Sequence, residues 1–166
     1  MFVDGYDVVF TGAIEDALEA FNNDFPKDIV FSAEKSCWPD SGLADSYPKV
    51  DSEYRFLNSG TFIGKVSELK KVTEEEILDT DDDQLYYTRK LLSGQYSMQL
   101  DSFCSIFQTI EAAWGDIKYI HTSEDGEGNL INKVFDTKPI MVHWNGSTRS
   151  KIFFNRVCDY ISCNRL

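Results

Sequence analysis

Asp4 and Asp7 stand three apart where an apolar opening, Met1-Phe2-Val3, gives way to a second apolar run, Val8-Val9-Phe10. Two carboxylates at a strand exit can close on one hard cation through oxygen, and α/β sheets commonly carry their sites at strand ends. A strand end with acidic turn residues is the plainer reading of the same seven residues. A second strand end bears on the choice. Pro139-Ile140-Met141-Val142 is a strong extended run that delivers His143 at its end, and Trp144-Asn145-Gly146-Ser147 follows as a loop. Two carboxylates and one imidazole suit Mn²⁺ better than Ca²⁺, which prefers oxygen, and they leave coordination positions open for a diphosphate. The turn from Asn145 to Thr148 can offer backbone N–H groups to the same phosphates, as a helix N-terminus does, and Arg149 would add positive charge. For His143 the alternative is an ordinary strand-end histidine.

A second acidic group lies at Asp79, Asp81, Asp82 and Asp83, four carboxylates within five residues, directly before the helical stretch Gln84 to Leu92. One aspartate suffices to cap a helix, so the surplus repulsion calls for a cation or a task. An EF-hand reading fails, because Gln84 stands where glycine is needed and Lys90 where the bidentate glutamate belongs. Trp38 lies in a Pro-, Ser-, Asp- and Gly-rich loop over residues 34–53. It either plugs the core or forms an aromatic platform for a sugar ring or base at the mouth of a site. The Asn145-Gly146-Ser147 glycosylation sequon is incidental here, since a glycan would block the loop.

These residues need a sheet to position them. Ile14, Ala17, Leu18 and Phe21 repeat at helical spacing within Ala13 to Asn23, and Pro26 breaks the pattern before the short strand Asp28 to Ser32. The chain therefore opens β-α-β, which predicts an α/β fold with a mixed, mostly parallel sheet flanked by helices. Further strands are predicted at Tyr54–Leu57 and Thr61–Gly64, with Asn58-Ser59-Gly60 as a turn between them. Others are predicted over Gln99–Asp101, within Phe103–Gln108 and over Ile117–His121, the last followed by a polar turn at Glu124–Asn129. Helices are predicted over Ser67–Leu78 and Thr148–Cys163. Gly60 is explained either by a positive φ or by close approach of another group.

With 166 residues and 42% hydrophobic content the chain reads as one globular domain. A net charge of −12 argues against nucleic-acid and anionic-lipid partners, both of which demand clustered Lys and Arg. No run of 18 apolar residues provides a transmembrane segment, and Asp4 and Asp7 interrupt the only apolar N-terminal stretch that could resemble a signal peptide. The four cysteines lack C-x-x-C spacing. Cys37 with Cys104 and Cys158 with Cys163 are the candidate disulfides.

Taken in order, Phe2-Val3-Asp4-Gly5-Tyr6-Asp7-Val8-Val9, Phe31-Ser32-Ala33-Glu34, Cys37-Trp38-Pro39-Asp40, Phe56-Leu57-Asn58-Ser59-Gly60, Asp81 to Thr88 and Ile140-Met141-Val142-His143-x-Asn145-Gly146 carry a family resemblance. The chain resembles the glycosyltransferase domain of the procollagen lysyl hydroxylases and related collagen-modifying glycosyltransferases over nearly its whole length. Each motif alone is weak; six in one order are specific. The resemblance implies a GT-A fold, Mn²⁺ and a UDP-sugar donor, UDP-glucose or UDP-galactose. Its implied acceptor is a collagen-like chain bearing hydroxylysine or galactosyl-hydroxylysine, and its implied setting is the secretory pathway. By motif, Asp4, Asp7 and His143 would hold the metal. Tyr6 would pack on the uridine and Trp38 would border the donor and acceptor cleft. Asn58, Asn145, Gly146 and Arg149 would belong to the donor-binding side, and Asp82 and Asp83 would be the catalytic or orienting carboxylates.

Three departures qualify that picture. Trp144 stands where the family has glycine, which predicts a narrower cleft, and Arg149 replaces a lysine. The chain also begins at the metal motif, midway through a GT-A domain. It is therefore expected to be the C-terminal part of one, completed by an N-terminal segment or a partner chain, or to persist as a non-catalytic binding domain. The hydroxylase half is not expected within it, because neither His121 nor His143 sits in a His-x-Asp arrangement.

Overall fold

Among the described residues the longest strand buried at every position is β3 (Ile29–Glu34), six residues without an exposed side chain. Such a run is what a strand covered on both faces requires. A computed structural model describes residues 1–75, 78–121 and 128–146, with side chains described to 118 and again from 130. In it β3 runs antiparallel to β4 (Phe56–Gly64) and parallel to β5 (Met98–Asp101), while β1 (Phe2–Val3) adds antiparallel to the far edge of β4. A second sheet has the order β2 (Val8–Phe10), β9 (Met141–His143), β6 (Phe107–Thr109), with β2 antiparallel and β6 parallel to β9. A third pairs β7 (Ile117–His121) with β8 (Gly128–Asn132).

The α/β class and the mixed sheets agree with expectation. The balance within them does not: among the described residues four strand pairings are antiparallel and two are parallel. The reason lies in β3 and β4. The loop between them makes one short 3₁₀ helix, Ser41–Ser46, and returns the chain alongside itself, where a parallel partner would have required a crossover helix.

β4 also corrects the predicted turn at Asn58-Ser59-Gly60, which lies inside one continuous nine-residue strand. Opposite it, Phe31 pairs with Phe62 but Ser32 pairs with Asn58, so residues 59–61 bulge from the ladder. Bulges re-aim side chains and cluster beside sites. Here the bulged backbone is held from the other side, where the Asp4 N–H donates to the Gly60 carbonyl at 2.9 Å.

Among the described residues three α-helices cover the sheets. α1 (Ile14–Asp24) buries Ala17 and Phe21 against Val30, Ile63, Phe107 and Met141, while Ile14 and Leu18 from the predicted apolar face stay exposed. α2 (Val66–Val72) ends six residues earlier than predicted. The Thr73 hydroxyl donates back to the Leu69 carbonyl, and the glutamates after it would oppose the negative end of the helix dipole. α3 (Asp83–Ser93) begins at an Asp82 cap, whose carboxylate accepts from the Leu85 N–H at 2.8 Å, and stops at Gly94 in the left-handed region. Tyr87 of α3 packs its ring on Phe31 and Phe62, tying the helix to the centre of the sheet.

Cys37 and Cys104 are free thiols and not the predicted pair. Cys104 is buried beside Ala33, Tyr54 and Ala113, and the Cys37 thiol donates to the Asp40 carbonyl. The predicted polar turn at 124–129 falls largely, and the predicted C-terminal helix with Cys158 and Cys163 wholly, outside the described residues. No helix among the described residues is long and apolar enough to cross a membrane.

Candidate metal centre

Two register choices bring the N-terminal acids to the histidine. Val8 pairs with His143 across β2 and β9, and the Trp144 N–H donates to the Asp7 carbonyl at 2.8 Å, so Asp7 is held beside the imidazole. Val3 pairs with Thr61, which sets Asp4 against Gly60. His143 Nε2 consequently lies 3.5 Å from Asp4 Oδ2 and 3.5 Å from Asp7 Oδ1. One donor atom from each residue falls within 4.8 Å of the others. A cation with metal–ligand bonds of about 2.0–2.6 Å spans donors roughly 3–5 Å apart, so this donor set fits one.

Electrostatics point the same way. Burial raises the Asp4 carboxyl above its ordinary value; His143 opposes this, and the neighbouring charges of Asp7 and Asp83 add to it. Carboxylates crowded in this way are relieved by a bound cation. Gly60 leaves the needed room. It carries no positive φ, and a Cβ there would overlap the His143 ring and lie 2.8 Å from Asp4 Oδ2. Of the two explanations for this glycine, close approach is the one that holds.

The three residues open into a cavity of about 570 Å³, also lined by Glu34, Ser36, Trp38, Asn58, Ser59, Gln84, Glu111, Asn145 and Gly146. Trp38 is 64% exposed at its edge, so it is not a core plug. Asn145 is buried and its Oδ1 accepts from the N–H groups of Ile110 and Glu111. Gly146 has φ +94°, and a side chain there would run into the Glu111 carboxylate. Asn58 lines the cavity, but its amide is committed inside the protein, with Oδ1 2.9 Å from His143 Nδ1.

Other predicted residues are placed differently. Tyr6, between the two acids, is 96% exposed and is not among the residues that line the cavity. Asp82 caps α3 and faces a second cleft of about 350 Å³ with Glu75, Tyr86, Arg89 and Lys90. Asp83 lies outside the lining of the first cavity, though its charge is felt at Asp4. Trp144 corrects the expectation of a narrowed cleft: it is fully buried with Val9, Ile110, Leu130 and Val142, on the core side of the strand end. Arg149 lies outside the described residues.

Glu34 is the main residue that the sequence reading gave no role. At the end of β3 its carboxylate accepts from Gln84 Nε2 at 2.7 Å and from Asn145 Nδ2 at 2.8 Å. Burial outweighs the lowering effect of its amide partners and of His143 and lifts its pKa to about 7. The signal was present, since Ile29-Val30-Phe31 delivers Glu34 just as the opening strand delivers Asp4. Gln84 and Glu111 gave none, as both lie in segments whose partners are remote in the chain.

A family sequence profile described as "PLOD GT domain" matches residues 1–165. The chain belongs to this family. Members similar to it include the multifunctional procollagen lysine hydroxylase and glycosyltransferase of Caenorhabditis elegans, 40% identical over 158 residues. The procollagen-lysine,2-oxoglutarate 5-dioxygenase of Drosophila melanogaster is 38% identical over 167 residues, and the human multifunctional enzyme LH3 is 37% identical over 166. These alignments cover 92%, 98% and 97% of this chain but only 22%, 23% and 22% of the relatives. The chain thus corresponds to the glycosyltransferase domain family within proteins several times its length.

Proposed function

We propose that this PLOD GT domain contributes the metal and donor side of a Mn²⁺-dependent glycosyltransferase. In this reading glucose or galactose passes from a UDP-sugar to hydroxylysine or galactosyl-hydroxylysine of a collagen-like acceptor. The observation that carries the reading is the convergence of Asp4, Asp7 and His143 on one point at the wall of a cavity edged by an exposed tryptophan. Asp4, Asp7 and His143 would hold the ion, which supplies Lewis-acid neutralisation of the charge that develops on a departing diphosphate.

The remaining roles follow from position. Trp38 offers an apolar face to a sugar ring at the cavity mouth. Tyr6, free in solvent beside the acids, is available to pack over a base. Asn145 and Gly146 set the loop next to the metal, and Arg149 is assigned to the diphosphate by its motif alone. Glu34 Oε1 and Oε2 belong to the cavity carboxylate whose pKa of about 7 suits it to take a proton from an acceptor hydroxyl near neutrality. Asp83 contributes negative charge near Asp4, and Asp82 serves by fixing the start of α3.

The test is thermal melting with Mn²⁺ and UDP. Together they should raise the melting temperature, and Asp4→Ala should abolish the rise; no shift with any UDP-sugar would refute the reading. A second reading, a glycosyltransferase-like domain that binds without turnover, is favoured by one observation. Among the described residues no Lys or Arg lines the cavity to meet a diphosphate. Metal-dependent stabilisation without release of UDP in a coupled assay would select it.

A further inference from the structure

We infer that Gln84 is a positioning residue that sets the tautomer of His143, acting through Asn58. The inference rests on the reading of Asp4, Asp7 and His143 as a cation site for its functional meaning. Its geometry stands on the hydrogen bonds of Gln84, Asn58 and His143. Gln84 is buried at the start of α3, just inside the Asp82 cap. Its amide meets two backbone groups whose roles cannot be exchanged: the Ser59 N–H at 3.2 Å and the Trp38 carbonyl at 3.1 Å. A backbone N–H only donates and a carbonyl only accepts, so Oε1 faces Ser59 and Nε2 faces Trp38 and Glu34.

Asn58 is fixed in the same way. The Gly60 N–H donates to Asn58 Oδ1 at 3.1 Å, and Asn58 Nδ2 donates to Gln84 Oε1 at 3.3 Å. Oδ1, an acceptor, therefore faces His143 Nδ1 at 2.9 Å, and that nitrogen must carry the hydrogen. Nε2 keeps its lone pair, directed at Asp4 and Asp7.

This is the less obvious outcome. Two carboxylates 3.5 Å from Nε2 would by themselves draw the hydrogen to that nitrogen, where it would block a cation. The amide relay from Gln84 opposes that pull and leaves the imidazole ready to ligate. Histidines at metal sites are commonly oriented by a partner on the other ring nitrogen. Here the partner is an amide held on one side by the Gly60 N–H and on the other by Gln84, from a helix on the opposite wall.

The experiment is ¹⁵N–¹H long-range correlation NMR of the imidazole in metal-free protein at mildly alkaline pH. The chain has two histidines, so His121→Gln leaves His143 alone in the spectrum. The parent should show a protonated Nδ1 and a bare Nε2. Gln84→Met removes both ends of the relay and should shift the ring toward the Nε2–H form. It should also weaken Mn²⁺ binding by about 10–100-fold. Gln84→Glu keeps an oxygen toward Ser59 and Asn58, so it should retain the parental tautomer. An Nε2–H form in the parent, an unchanged tautomer in folded Gln84→Met, or loss of the parental form in Gln84→Glu would each overturn the inference. Should Gln84→Met fail to fold, the Gln84→Glu spectrum decides. Because the tautomer is read without metal, absent Mn²⁺ binding in the parent would refute the cation site and leave this result standing.

Discussion

Replacing Glu34 by glutamine should remove a specific pH dependence from the stability of this domain. The Glu34 carboxyl has a pKa of about 7 in the folded protein against an ordinary value of 4.5, mainly because β3 buries it. The folded state therefore holds this proton more tightly than the unfolded chain. Its contribution is complete below about pH 4.5, falls as pH rises, and levels off above about pH 7. Integrated between about pH 5 and pH 8, one carboxyl shifted this far removes about 2.5 kcal/mol. For a chain of this length that corresponds to roughly 5–10 °C in melting temperature. Glu34→Gln carries no such term. It loses one hydrogen bond, since its new NH₂ must face either Gln84 Nε2 or Asn145 Nδ2, and that offset of about 1–3 kcal/mol does not depend on pH. Urea melts of both proteins, with chelator present, should give stabilities that converge by about 2.5 kcal/mol from pH 5 to pH 8. Other acids contribute equally to both and cancel in the difference. A constant difference across that range would refute the raised pKa, and with it the assignment of Glu34 as a proton acceptor near neutrality.

Other substitutions separate the cavity from the scaffold. Gly60→Ala should destabilise by about 1–3 kcal/mol and abolish Mn²⁺-dependent stabilisation, because the added methyl overlaps His143; thermal melts with and without Mn²⁺ read both effects. Trp144→Ala should cost about 3–5 kcal/mol in urea unfolding, as a core tryptophan would, whereas a small loss with an enlarged donor range would restore the narrowed-cleft expectation. Asp82→Ala should lower stability by about 1 kcal/mol through loss of the α3 cap and leave Mn²⁺ affinity unchanged by titration calorimetry; a large loss of affinity would place its carboxylate in the site.

The parts of the site that could be read in the sequence share one property: each is the polar end of an apolar strand. Asp4, Asp7 and His143 stood out because a hydrophobic run that stops at a charged or imidazole side chain has delivered it to a sheet edge. Glu34 obeys the same rule and could have been picked by it. The helices α1 and α3 were legible from periodicity and from the acidic start of α3. What escaped depends on pairing between distant segments. Asn58-Ser59-Gly60 has turn composition, yet it forms a strand because β3 and β1 flank it and its small residues make room for His143. The antiparallel majority followed from how a 3₁₀-containing loop folds back, and residues 34–53 carry no periodic signal that would have shown it. Trp144 was misread because a bulky residue in the place of the family's glycine was expected to fill the cleft. Successive strand-end residues alternate, so the neighbour of His143 points into the core. Gln84 was noticed only as a failure of a calcium-loop pattern, since hydrogen bonds reaching 25 and 50 residues back in the chain leave no local trace.

Pulsed electron paramagnetic resonance of Mn²⁺ added to the domain addresses the convergence of Asp4, Asp7 and His143 on a single ion. One directly bound histidine nitrogen should modulate the echo, change its pattern on ¹⁵N-histidine labelling, and vanish in His143→Ala, while Asp4→Ala or Asp7→Ala should weaken binding. Bound Mn²⁺ without nitrogen coupling, or coupling that survives His143→Ala, would mean that these three side chains do not form the metal centre.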